Sequence, residues 1–206
     1  MTSTIENAVG EPAANEKPRL KEAVPLTAER LRELLHYEPE TGSFTWKART
    51  PEDFEDGKKQ SKEHNCAIWN GRYAGKPAGT VNKVIGYSTI CVEHSYIYAH
   101  RLAWLYVHGS WPVDQIDHIN SLRHDNRLSN LREADRGQQE MNKPVSARNT
   151  SGFKGVSWTP REQKWRANIA ADGKPLSLGY WDDPLKAWVA YSIAAMKLHG
   201  NFARFV

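Results

Sequence analysis

Cysteine is nearly absent from this sequence. The 206 residues contain two, Cys66 and Cys91, too few for a disulfide framework or a cysteine-rich zinc site. Long apolar runs are absent too. Hydrophobic residues make up 39% of the chain and mean hydropathy is −0.69. No stretch approaches the roughly 20 apolar residues that a membrane span needs, so no membrane partner is expected. The N-terminus lacks the apolar core of a signal peptide, and a cytoplasmic location is expected. Residues 1–24 hold few large apolar groups and are rich in Ala, Glu, Pro, Asn and Lys. Such a segment cannot bury enough surface to order itself and reads as a disordered tail.

Excess charge is modest, +4 overall with pI near 9.0, but it is unevenly placed. Residues 151–206 carry eight Lys or Arg against four Asp or Glu, an excess that equals the whole net charge of +4. A compact basic module fits a polyanion, because neutralising phosphates releases counterions.

Three segments follow the tail: an α/β region over 25–98, a polar core over 99–148 and a final module over 149–206. Thr27 opens a helix with Leu31, Leu34 and Leu35 on one face. Residues 38–42 form a turn and Ser43–Trp46 alternates as a strand. Residues 49–65 read as a loop. Strands are expected near 79–84 and 87–92, with a third at 96–98. The amphipathic run His100–Val107 reads as a helix closed by Gly109.

The densest pattern lies between Ile116 and Asn142. Ile116 ends a short strand with Asp117 and His118 at its tip. A polar loop runs to Asn130, Leu131–Ala134 forms a second strand, and Asp135 caps a helix with Gln138 completing a capping box. Gln139 and Asn142 are three apart, so they share a helix face that could meet Asp117. Such a set suits phosphodiester hydrolysis. Histidine titrates near neutrality and can take a proton from water. A carboxylate with an amide oxygen suits a hard cation with open positions for phosphate oxygens. A second asparagine in the loop can hold the histidine in place.

The helix Ala99-His-Arg-Leu-Ala-Trp104, the pair Asp117-His118 and the run Asn126-Arg-Leu-Ser-Asn-Leu-Arg132 together resemble the phage and intron HNH homing endonucleases. The resemblance implies a ββα-metal (His-Me finger) core acting on double-stranded DNA in a bacterial or phage-infected host cell. It implies His118 as general base, Asn130 as the asparagine that positions it, and Asp117 as ligand to one divalent cation, Mg²⁺ or Mn²⁺. Many relatives carry asparagine at the position of Gln139 and another three residues on. Asn142 is assigned the second ligand role here, with Gln139 as the alternative. Arg123, Arg127, Arg132 and Arg136 read equally as phosphate contacts or surface charge, and His100 as a packing residue.

The last segment reads as strands at 156–158, 164–170 and 175–179, then a helix capped by Asp183 and Pro184 whose apolar face uses Ala187, Val189 or Ala190, Ala194 and Leu198. A turn at Asp172-Gly173 joins the last two strands. The stretches Phe153-Lys-Gly-Val156, Lys164–Ile169, Leu178–Trp181 and His199–Ala203 resemble the Apetala/ethylene-response-factor DNA-binding domain. That resemblance implies a three-stranded antiparallel sheet packed on one helix, with the free sheet face in the major groove. Lys154, Ser157, Arg166, Asn168, Ser177 and Tyr180 match its outward positions, with Arg161 and Lys164 nearby. Ser157, Ala170, Pro175 and Ser177 stand where the plant proteins have arginine or tryptophan, so their sequence preference does not transfer. The expectation is an α+β DNA endonuclease, monomer or weak dimer. The alternative is a non-cleaving, transcription-factor-like DNA binder with a decayed nuclease core.

Overall fold

The computed structural model describes residues 26–171 and 173–205; the tail expected over 1–24 lies outside them. Among the described residues the architecture is mixed α and β, built on four small antiparallel sheets. Helix α1 (Ala28–Leu34) starts where the Thr27 hydroxyl accepts the Arg30 N–H at 3.2 Å. It stops one residue earlier than its leucine face suggests. Leu35 opens strand β1 (Leu35–Glu38), which pairs with β2 (Ser43–Trp46) from Leu35 opposite Trp46 to Glu38 opposite Ser43. Leu35 remains fully buried on either element, so its hydrophobicity could not locate the break.

The segment expected as a loop over 49–65 ends in helix α2 (Lys62–Tyr73), capped by Ser61. Only Cys66 of this helix is buried, so it has little apolar face to betray it. Strands β3 (Thr80–Val81), β4 (Ser88–Val92) and β5 (Ser95–Tyr98) follow as a meander. Helix α3 (Ala99–His108) closes at Gly109, whose N–H bonds to the Leu105 carbonyl. Next come β6 (Gln115–His118), β7 (Leu131–Ala134) and α4 (Arg136–Asn142). Strand β6 runs two residues past Ile116, so Asp117 and His118 are its last two residues, opposite Arg132 and Leu131 of β7.

One apolar core joins these pieces. Leu31, Leu34, Leu35, Tyr37, Phe44, Ile90, Leu102, Leu105, Ile116 and Leu131 belong to a single buried cluster. The strands that carry the polar site therefore rest on α1 and α3. Truncating one of these leucines to alanine would cost roughly 2–5 kcal/mol.

The second core is separate. Strands β8 (Val156–Thr159), β9 (Lys164–Ala171) and β10 (Lys174–Trp181) form a sheet in the order β10-β9-β8, and α5 (Pro184–His199) packs on it. The helix buries Ala187, Tyr191, Ala195 and His199. This corrects the expected face, since Val189 and Leu198 are about half exposed. The reason lies across the interface at Gly155. Its φ is +74° and a Cβ there would stand 2.2 Å from the Tyr191 ring. The missing side chain admits the aromatic ring and sets the helix rotation.

Candidate metal-nuclease site

The loop between β6 and β7 is held by its own polar side chains. Asn130 Oδ1 accepts the Asn120 N–H at 3.0 Å, and Asn130 Nδ2 donates to the Asp125 carbonyl at 2.8 Å. Asn120 Nδ2 donates to Asp125 Oδ2 at 2.7 Å. The hydrogen bonds from Arg127 hold the Asp125 carboxyl well below the usual range. Neighbouring elements grip the same loop. The Tyr37 hydroxyl donates to the Asn126 carbonyl at 2.7 Å. Gly42, at φ +72°, packs so closely that a Cβ would lie 2.4 Å from the Arg127 nitrogen.

This scaffold fixes the histidine indirectly. Asn130 acts on the loop backbone and does not touch the His118 ring. The ring contact comes from Asn126, whose Oδ1 lies 3.4 Å from His118 Nε2. The Asn126 amide nitrogen donates to the His124 carbonyl at 3.2 Å, which turns its oxygen toward the ring. An amide oxygen can only accept, so Nε2 carries the proton and Nδ1 keeps its lone pair. His118 is 4% exposed, and burial lowers its pKa. Its imidazole is thus held neutral near pH 7, the form a base requires.

Packing around this ring includes His100, which the sequence reads as a packing residue. His100 lies edge-on to His118 with ring centroids 5.1 Å apart, and it stacks on Tyr98 at 5.4 Å. Tyr87 touches both histidines. Burial, with smaller contributions from His118 and Arg101, pushes His100 down to about 3. Asn126 and His100 were both visible in the sequence motifs. Which ring each would touch depends on the tertiary fold.

Asp117, His118, Gln139 and Asn142 line one open cavity of about 300 Å³, together with Tyr87, Arg123 and others. Asn142 is buried and donates to Asp117 Oδ1 and Oδ2 at 3.1 and 2.9 Å and to the His118 carbonyl at 3.0 Å. Arg132 also reaches Asp117 Oδ2 through Nε at 2.9 Å and a terminal nitrogen at 2.8 Å. Of the arginines left open by the sequence, Arg123 lines the cavity, Arg127 pairs with Asp125, Arg132 pairs with Asp117, and Arg136 is exposed.

The donors fit a hard cation in kind. Among the described residues no three His, Cys, Asp or Glu side chains converge. The cavity instead offers the Asp117 carboxylate with the Asn142 and Gln139 amides. Oxygen donors of this sort, with room for phosphate and water, suit Mg²⁺ or Mn²⁺ better than zinc.

The C-terminal sheet presents a second set of residues. Cross-strand pairing aligns Ser157, Arg166 and Tyr180 in one row, and Asn168 with Ser177 in the next. Arg166 Nε and Asn168 Oδ1 are buried without a hydrogen-bond partner. Lys164 lies 3.3 Å from Asp182, and the Arg161 side chain is 93% exposed near Glu162. Lys154 is turned away from this face. Its ammonium donates to the Met141 and Lys143 carbonyls at 2.5 and 2.7 Å, at the end of α4 where a cation meets the helix dipole.

An antiparallel strand pair followed by a helix, with an Asp-His pair beside it, is the ββα arrangement of an HNH-class domain. A family model described as HNH endonuclease matches residues 97–141. Protein 3.8 of Escherichia phage T7 is 34% identical over 108 residues, covering 52% of this chain and 88% of that protein. The chain belongs to the family of that phage protein and carries an HNH endonuclease domain. No helix among the described residues is long and apolar enough to cross a membrane.

Proposed function

We propose that this chain is a divalent-metal-dependent DNA endonuclease of the homing type, with the module over 149–206 as its DNA dock. The observation that carries the reading is the convergence of His118, Asp117, Gln139 and Asn142 on one cavity that Arg123 also lines. His118 Nδ1 takes the proton from the attacking water, and Asn126 fixes the tautomer that leaves this nitrogen available. Asn130 positions His118 by holding the loop backbone. Asp117 and Asn142 would hold the cation, with Gln139 as the alternative ligand. A divalent cation held there, Mg²⁺ or Mn²⁺, would supply positive charge to offset the charge that builds up on the phosphate and the leaving oxygen. Arg123 adds positive charge to the same wall. The products carry a 5′ phosphate and a 3′ hydroxyl.

The docking face is assigned to Ser157, Arg166, Asn168, Ser177 and Tyr180, with Arg161 and Lys164 at its edge and Lys154 behind it. The cross-strand row of Ser157, Arg166 and Tyr180, with Asn168 and Ser177 beside it, supports a polyanion on this face. The likeness to the Apetala/ethylene-response-factor domain supports duplex DNA as that ligand. The protein acts as a monomer or weak dimer in the cytoplasm of a bacterial or phage-infected cell.

Purified protein with Mg²⁺ or Mn²⁺ is expected to nick or cut plasmid DNA, and His118→Ala to abolish the cutting. Equal cutting by both proteins would overturn the assignment. A second reading, a DNA-binding protein without cleavage, draws on the Arg132 ion pair that occupies Asp117. Retarded DNA in a gel shift with no cleavage at any divalent metal would favour it.

A further inference from the structure

Arg132 joins two parts of the molecule that a simple tether would leave independent. From β7 it reaches across the strand pair to Asp117, its direct partner in register. Both of its contacts there, at 2.9 and 2.8 Å, fall on Oδ2. The pair is well shielded, with side-chain exposures of 16% for Arg132 and 12% for Asp117. The remaining guanidinium nitrogen donates to the Asn201 carbonyl at 2.5 Å. The guanidinium also lies 3.7 Å from the centroid of the Phe202 ring. Asn201 and Phe202 belong to the short turn that ends α5 of the C-terminal module.

We propose that Arg132 is a positioning residue for the metal-binding carboxylate and that the C-terminal module holds it in place, a proposal that rests on the metal-nuclease reading above. A guanidinium is a planar fork whose donors have fixed directions. Packed on Phe202 and bonded to Asn201, it cannot swing. Arg132 therefore holds the Asp117 carboxyl at Oδ2, which also accepts from Asn142, while Oδ1 accepts from Asn142 without Arg132. Two further contacts run from the module to the same site. Lys154 secures the end of α4, the helix that carries Asn142. Arg204 donates to the hydroxyl of Ser121, which lines the cavity. The module thus touches β7, which pairs with the strand carrying Asp117, and also α4 and the loop, which both line the cavity.

The arrangement has an electrostatic consequence that separates positioning from simple propping. A guanidinium beside Asp117 competes with any cation for that carboxylate. Removing it should strengthen cation binding while releasing the carboxylate from its aim. A structural prop, when lost, would weaken both.

The test uses the full-length protein as wild type, Arg132→Gln, Phe202→Ala and Phe202→Tyr. Mn²⁺ binding is measured by calorimetry without DNA, and plasmid nicking at saturating Mn²⁺. Arg132→Gln is expected to bind Mn²⁺ more tightly yet to cut about tenfold or more slowly, with unchanged DNA affinity in a gel shift. Phe202→Ala should move both quantities in the same directions by less, and Phe202→Tyr should match wild type. Slower cutting with weaker Mn²⁺ binding would overturn the proposal, as would an unchanged rate in Arg132→Gln. A Phe202→Ala protein identical to wild type would remove the module from the coupling, and this variant keeps the test decisive if Arg132→Gln does not fold. Absence of cutting by wild type would count against the nuclease reading instead, while the direction of the Mn²⁺ change would still decide the role of Arg132.

Discussion

At the scale of single residues, the proton on His118 is the most consequential detail. Its placement on Nε2 follows from one amide oxygen 3.4 Å away. Asn126→Ala should remove that constraint and leave a buried N–H without an acceptor. Nicking by this variant is expected to fall about tenfold to a hundredfold, with DNA binding retained in a gel shift. A rate equal to wild type would show that the tautomer is fixed elsewhere. Asp117 and His118 were legible because an acid next to a histidine is chemically pointed and the surrounding spacing is specific. The contacts of Asn126 and Arg132 were not, because several Asn and Arg side chains crowd the same thirty residues. Only the folded loop decides which of them meets the ring and which meets the carboxylate.

His100 carries a second residue-scale prediction. Its folded pKa, pushed down to about 3 by burial and by His118 and Arg101, lies below the value of about 6.5 in an unfolded chain. Between those values the unfolded chain binds a proton that the folded protein refuses. Stability is therefore complete above about pH 6.5 and is lost as the pH falls toward 3. His118, also lowered by burial, contributes with the same sign. The melting temperature should hold steady from pH 8 to 7 and decline as the pH drops below 6.5. His100→Phe should flatten the decline, and an unchanged slope would assign the acid sensitivity to other groups.

Legibility of elements followed the local signal each one carried. Helix α4 was readable because Asp135 and Gln138 form a reciprocal cap, and both bonds are present at 2.8 and 2.9 Å. Helix α2 buries one side chain, Cys66, and so carries no apolar stripe that a sequence could show. The α1–β1 boundary was hidden because Leu34 and Leu35 are both buried. On α5 the true stripe runs through Tyr191, whose ring needs the space left by Gly155, a residue 36 positions away in the sequence. The turn between β1 and β2 shows the same long-range dependence, since Gly42 presses on the backbone of Asn126 and Arg127. Gly42→Ala should cost about 1–3 kcal/mol for the left-handed backbone alone, and more for the clash. A lower urea midpoint with an unchanged slope would register it. Cutting should fall too, because the displaced backbone carries Asn126. Loss of stability with full activity would separate the turn from the site.

At the scale of the whole molecule, the basic excess of residues 151–206 divides between two jobs. Lys154 is spent inside the chain, bonded to the carbonyls at the end of α4. Arg166 sits in the sheet row beside Ser157 and Tyr180 and has a polar atom without a partner. Sequence alone could not separate them, because both are basic residues of the same short C-terminal module. Salt dependence can. Each phosphate neutralised by a protein cation contributes close to one unit to the slope of log affinity against log salt. Arg166→Ala should weaken DNA binding and reduce that slope by about one. Lys154→Met should leave the slope unchanged while lowering the melting temperature, because the charge it removes is engaged within the protein. If Lys154→Met instead shortens the slope as Arg166→Ala does, the lysine leaves α4 when DNA binds. The end of the helix that carries Asn142 would then be released in the complex, and DNA docking would act directly on the metal site.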